Sequence, residues 1–264
     1  MQQVEKRRLV QGLSRVSPRR ATKKITMSQL NDTTEQWDLE IKPQASLFDL
    51  NLKEVWRYRD LMMLFVRRDF VAQYKQTILG PLWHIIQPVF TTIMFLFVFG
   101  KIANIPTDGI EPILFYMSGI TIWNYFSTCL TATSNTFVAN AHIFGKVYFP
   151  RIIMPFNVIL SNLIKFGIQF AFFLVVLLYY FAQGATLQPN WSVLLLPVLL
   201  LVVALIALGF GMIISSLTVK YRDLNFVITF GISLYMYITP IVYPTSLVLE
   251  KIDPKYHPLI YMNP

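Results

Sequence analysis

The stretch that decides the fold runs from Pro155 to Phe181, PFNVILSNLIKFGIQFAFFLVVLLYYF, in which Lys165 is the only charged side chain. A helix needs about 20 apolar residues to cross the hydrocarbon core of a bilayer, and this run is longer than that. Working outward, four more segments qualify, at about Pro81 to Ile102, Pro112 to Val138, Ser192 to Leu217 and Phe226 to Tyr243. The whole chain agrees with them. Of its 264 residues 55% are hydrophobic and only 14% charged, with mean hydropathy +0.50, whereas soluble domains carry roughly a quarter charged residues. Lipid is therefore the expected solvent. The apolar residues come in long runs rather than in alternating segments of about ten, which argues against a β-barrel. Cys129 is the only cysteine, so a disulfide scaffold within the chain is excluded. The predicted fold class is an all-α integral membrane protein, a bundle of five transmembrane helices preceded by an amphipathic interface helix.

The charges set the direction of the crossings. Short loops rich in Lys and Arg stay in the cytoplasm. The 139–154 loop carries Lys146 and Arg151 without an acid, and the 218–225 loop carries Lys220 and Arg222 against Asp223. The 103–111 loop has only Asp108 and Glu111, the 182–191 loop has no charge, and the tail after Tyr243 balances Lys251 and Lys255 against Glu250 and Asp253. All of them fit one topology, with the N-terminus inside and the external tail, 244–264, outside. The net charge of +9 is then an orientation signal and a partner-facing surface, and no nucleic-acid partner is needed to explain it. The chain stops just after Asn263-Pro264, a helix-start signal, which leads us to expect that a sixth span is missing from the C-terminus.

Residues 1–47 read as a basic tail, expected to be disordered in the cytoplasm. Its first 24 residues hold eight Lys or Arg and one acid and lack the apolar core of a signal peptide. The run is either simply solvated or drawn to anionic lipid headgroups. Residues 48–80 form a second unit. Tyr58, Met62, Val66, Phe70 and Tyr74 recur every four residues, beside Val55, Leu61 and Phe65, while Arg57, Arg67 and Arg68 lie elsewhere on the wheel. That is the period of an amphipathic helix. It either lies in the cytoplasmic interface or packs on a partner, and Gly80-Pro81 is expected to end it. Residues 81–264 make up the transmembrane domain.

Several motifs are familiar. Arg67-Arg68-Asp69-Phe70, Tyr74 to Trp83 (YKQTILGPLW), Gln87-Pro88 and Val98-Phe99-Gly100 together resemble the opening of ABC-2 type transporter permeases, and within them those that export O-antigen, capsular polysaccharide and teichoic acid. Lys146 to Arg151 (KVYFPR), Lys220 to Leu224 (KYRDL) and Thr239 to Pro244 (TPIVYP) agree with it in order and in membrane side. The resemblance implies a homodimeric, six-span permease of the bacterial inner membrane, served by two copies of a separate ABC ATPase that carries the Mg-ATP. It covers about residues 48 to 264.

The chain itself shows no means of hydrolysis. The phosphate-cradling pattern G-x-x-x-x-G-K-[ST] and the HExxH pattern are absent, and His84, His142 and His257 fall in different segments. No catalytic, cofactor-binding or metal-binding residue is expected. An ATPase would need a grip, and Phe144, Gly145, Lys146, Val147, Tyr148 and Arg151 are the main candidates for it, with Lys220, Arg222 and Asp223 as a weaker second loop. Ile143, Phe144, Val147 and Phe149 would otherwise face water, which suggests a docking patch. On the interface helix the corresponding candidates are Trp56, Arg57, Arg67, Arg68 and Asp69.

Inside the spans, Thr121, Asn124, Thr128, Thr131 and Asn135 share one helix face, as glue between helices or as the lining of a polar path. Ala207, Gly211 and Ser215 form a small-residue stripe, read as packing. Lys165 either faces a cavity or snorkels to the interface. Channel-lining candidates are Trp83, Phe90, Thr121, Asn124, Thr128, Tyr235 and Tyr237, since aromatic rings can stack on the C–H faces of sugars; the alternative for each ring is an interfacial anchor. The expected function is that of a multi-pass permease subunit exporting lipid-linked polysaccharide. Its rivals are an exporter of a drug or lipid, an integral-membrane enzyme acting on polyprenyl-linked sugars, and a passive channel. The enzyme would need clustered acids or a metal site, and the channel would need no coupling loop.

Overall fold

The structure, a computed structural model, describes residues 52–75, 77–184 and 191–251. The basic tail and the end expected to precede a sixth span lie outside them. Two helices come first, α1 (Leu52–Arg57) and α2 (Arg59–Tyr74). A 3-10 turn, Gly80–Leu82, leads into α3 (Trp83–Phe95), which continues as a π-helix over Leu96–Ile102. Next come α4 (Pro112–Ser134), the single turns α5 (Thr136–Ala139) and α6 (Ala141–Phe144), and α7 (Ile153–Ala182). A second 3-10 turn, Trp191–Leu195, precedes α8 (Leu196–Thr218), followed by α9 (Leu224–Ile238) and α10 (Thr245–Lys251). Among the described residues every regular element is helical.

Gly80–Ile102, Ile153–Ala182 and Val193–Thr218 are long and apolar enough to cross a membrane, and Leu224–Ile238 is apolar but shorter. The 23-residue α4 has the length, about 35 Å at 1.5 Å per residue, but more hydroxyl and amide side chains. Its position explains how it tolerates them. It is the central helix, packed on α3, α7, α8 and α9, and it buries Tyr116, Ile120, Trp123, Tyr125 and Cys129 among their side chains. Several of its hydroxyls turn back onto its own backbone: Thr121 Oγ1 donates to the Met117 carbonyl at 2.7 Å and Ser134 Oγ to that of Thr131 at 2.8 Å. No water is needed to satisfy these two.

The small-residue stripe of α8 does what its spacing suggests. Ala207, Gly211 and Ser215 are buried against α4. A Cβ on Gly211 would stand 2.6 Å from Thr133 Cβ and Cγ2, so the two backbones approach as closely as glycine allows. Ser215 Oγ accepts the Phe137 N–H at 3.3 Å, joining the end of α8 to the start of α5.

Hydrogen bonds and packing also sort the loops by end. At one end, α2, the 139–152 connection and the first turn of α7 form a single apolar cluster. At the other, Ser246 Oγ donates to both carboxylate oxygens of Asp108, at 2.9 and 2.7 Å, tying the acid-bearing loop to α10.

One boundary differs from the sequence reading. The helix before the first span stops at Tyr74, well short of Gly80. The β-branched Thr77 and Ile78 are poor helix formers, and Thr77 bonds back to the Tyr74 carbonyl through both its backbone (3.1 Å) and its hydroxyl (2.9 Å). Gly80 then adopts φ +49°, the left-handed region that favours glycine.

Candidate functional site

The basic end carries the coupling candidates, and its framework is a set of aromatic contacts. Phe149 is 5% exposed and packs with its ring centroid 5.8 Å from Phe65 of α2 and 5.6 Å from Phe144. Phe144 also meets Phe137, at 6.1 Å. Ile153 and Met154 of α7 close the cluster. The docking patch inferred from the sequence is thereby reduced. Phe149 points inward because α2 supplies it with a partner, Ile143 and Phe144 are half-buried against it, and only Val147 and Tyr148 stand out, at 54% and 57% exposure. Gly145, Lys146 and Arg151 are exposed around them. The Arg151 guanidinium lies 5.9 Å from the Phe144 ring centre.

A polar latch supports the same cluster. Asn157 Nδ2, on α7, donates to Asp69 Oδ2 on α2 at 2.6 Å, and Arg68 pairs with the other carboxylate oxygen at 2.7 Å while its guanidinium sits 4.8 Å from the centre of the Phe65 ring. Thus Arg68 and Asp69, named from the sequence, meet Asn157, which was not. Arg57, Arg67 and Trp56 are exposed, Trp56 beside Arg59. Lys220, Arg222 and Asp223 are exposed in the turn after α8, with Lys220 Nζ 5.0 Å from the Tyr221 ring centre.

The channel candidates are scattered within the chain. Trp83 and Phe90 face outward from α3, and Tyr237 outward from α9. Tyr235 is half-buried against Trp123 (5.9 Å) and Phe126 (6.4 Å), beside an apolar cavity of about 210 Å³ between α4, α8 and α9. Thr121 is buried. Asn124 and Thr128 line a second cavity, of about 200 Å³, together with Lys165. His84, Asn162 and Gln169 also border it; the sequence carried a partial signal for them, since Asn162, Lys165 and Gln169 follow helical spacing along α7. Among the described residues no group of His, Cys, Asp or Glu is placed to hold a metal.

Comparison with known proteins gives this arrangement a family. Two proteins of Klebsiella pneumoniae named O-antigen export system permease protein RfbA are 29% and 30% identical to the chain, each alignment covering 77% of both sequences. A protein of the same name from Myxococcus xanthus is 27% identical over 76% of this chain and 74% of its own length. Residues 60–264 match the family described as ABC-2 type transporter. On a match that takes in α2 and the whole helical bundle after it, the chain belongs to the ABC-2 type transporter family.

Proposed function

We propose that this chain is the membrane-spanning permease subunit of an ATP-driven exporter that moves lipid-linked polysaccharide of the O-antigen class across the inner membrane. The observation that carries the reading is its likeness, along about three-quarters of its length, to proteins named O-antigen export permeases. Two copies form the membrane part, the N-terminus lies in the cytoplasm, and two copies of a separate ATPase supply Mg-ATP hydrolysis. The ATPase grips the exposed tip Gly145 to Tyr148. Because Phe149, Phe144, Phe65 and Ile153 form one cluster, a push on the tip moves α2 and the base of α7 together rather than bending a loop. The gap between the two subunits changes as a result.

The test is deletion of the gene in its native strain. Surface polysaccharide should disappear while lipid-linked polymer accumulates inside, and the wild-type gene should restore export. A Lys146→Glu, Tyr148→Ala double variant should reach the membrane yet neither restore export nor retain the ATPase on purification. Normal surface polysaccharide in the deletion strain would overturn the reading.

A further inference from the structure

The cavity shared by Lys165, His84, Asn124, Thr128, Asn162 and Gln169 is unlike the apolar surroundings of most spans. It draws on α2, α3, α4 and α7, and at about 200 Å³ it is far above the ~10–15 Å³ that one water needs. Among the described residues none that lines it is a carboxylate. Lys165 makes no ion pair among the described residues, and the carboxylate whose charge reaches it, Asp69, is already engaged by Arg68 and Asn157. Three polar atoms at the cavity have no hydrogen-bond partner among the described residues: His84 Nε2, Asn162 Oδ1 and Gln169 Oε1. Asn162 is 4% exposed, and leaving its buried carbonyl oxygen without a partner is costly. A half-turn of either amide group presents donors in place of the oxygen. The cavity therefore offers one uncompensated cation ringed by neutral hydrogen-bonding groups.

Its depth points to the ligand. The 30 residues of α7 span about 45 Å, roughly 15 Å more than the hydrocarbon core. The first turns of α7 belong to the basic end, where Ile153 and Met154 pack on Phe65 and Asn157 holds Asp69. Lys165 comes after those turns, opposite His84, the second residue of α3, and Gln73 near the end of α2. It thus sits level with the start of the first span, Gly80–Ile102, on the basic side of the bundle. A second, more open cavity of about 530 Å³, lined by Thr131, Asn135 and Ala139, continues towards that end and shares Thr128.

We propose that this chamber is a phosphate site, which takes the phosphate or diphosphate headgroup of a membrane lipid, with Lys165 as its charge partner and Asn124, Asn162 and Gln169 as hydrogen-bond partners. The proposal rests on the export reading for its sidedness and for the natural source of the group, a lipid-linked substrate. The same chemistry would accept an ordinary anionic phospholipid.

The test uses the purified full-length protein in neutral detergent, with bound lipid quantified by native mass spectrometry. The probes are a polyprenyl diphosphate, phosphatidylglycerol and the uncharged polyprenol. Wild type should retain the diphosphate in preference to polyprenol. Lys165→Gln should weaken it about tenfold or more, as for the loss of one charge-assisted hydrogen bond, and Lys165→Arg should keep most of it. Gln169→Glu, nearly isosteric, guards against a folding defect in Lys165→Gln: it should lower retention while leaving the elution volume and melting temperature unchanged. Lys165-dependent binding of the diphosphate over phosphatidylglycerol assigns the site to the substrate lipid, and equal Lys165-dependent binding of both assigns it to phospholipid, with the phosphate chemistry upheld either way. Equal retention of polyprenol, or full diphosphate binding by well-folded Lys165→Gln and Gln169→Glu, overturns it. Export measured in cells reads the functional proposal separately: wild-type export beside unaltered binding by both variants would sink only the site.

Discussion

At the scale of single residues, the basic end separates side chains that hold the structure from side chains that face outward. Phe149 is buried on Phe65 and Phe144, so Phe149→Ala should cost about 3–5 kcal/mol, the range for truncating a buried phenylalanine. It should lower the melting temperature of the purified protein markedly. Val147 and Tyr148 are more than half exposed, and alanine at both should leave the melting temperature within a degree or two while reducing ATPase retention. Melting curves and co-purification on the same samples distinguish the two effects. Asn157→Ala removes the 2.6 Å hydrogen bond to Asp69. Bonds to charged groups are worth about 1.5–3 kcal/mol; Asp69 keeps 36% of its side chain exposed, so solvent screening brings the expectation to about 1–2 kcal/mol. Limited proteolysis should then cut more readily between α2 and α3. The sequence singled out Asp69 and Phe144 but not this pairing, since Asn157 lies 88 residues from Asp69 and no periodicity links them.

At the scale of elements, the contact between α4 and α8 is governed by residue size. Gly211→Ala would place a methyl 2.6 Å from Thr133, and backbone must shift to receive it; overpacking of this kind costs about 1–3 kcal/mol. Gly167, on α7, has open space where its Cβ would be, so Gly167→Ala should be neutral or stabilising by up to about 0.5–1 kcal/mol, the helix-interior preference for alanine. Opposite shifts in the melting temperatures of the two variants would support close packing there, whereas equal shifts would contradict it. This element was legible beforehand, because a stripe of small residues every four positions has one simple use between helices in lipid. The end of α2 was less legible. The Gly80-Pro81 signal is strong, but the β-branched Thr77 and Ile78 stop the helix first.

At the scale of the whole molecule, the sorting of loops predicts which sites share a membrane face. Cys129 is the sole cysteine and is buried, so in a Cys129→Ala background single cysteines can report sidedness. Lys146→Cys and Lys220→Cys should react with an impermeant maleimide only after the cells are opened, and Asp108→Cys should react in intact cells. Labelling of Lys146→Cys and Asp108→Cys from the same side would refute this arrangement. The sequence by itself determined the solvent, the helical class and the apolar segments, because a helix in lipid satisfies its own backbone and so depends on little beyond local composition. It also separated basic from acidic loops, since charge placement is one-dimensional information. Only the tertiary structure decided that Phe149 turns inward, that α4 is central, and that Lys165 shares a cavity with His84 and Asn162. These depend on which surfaces meet, and they combine residues from helices far apart in the chain, whose union no single periodicity records.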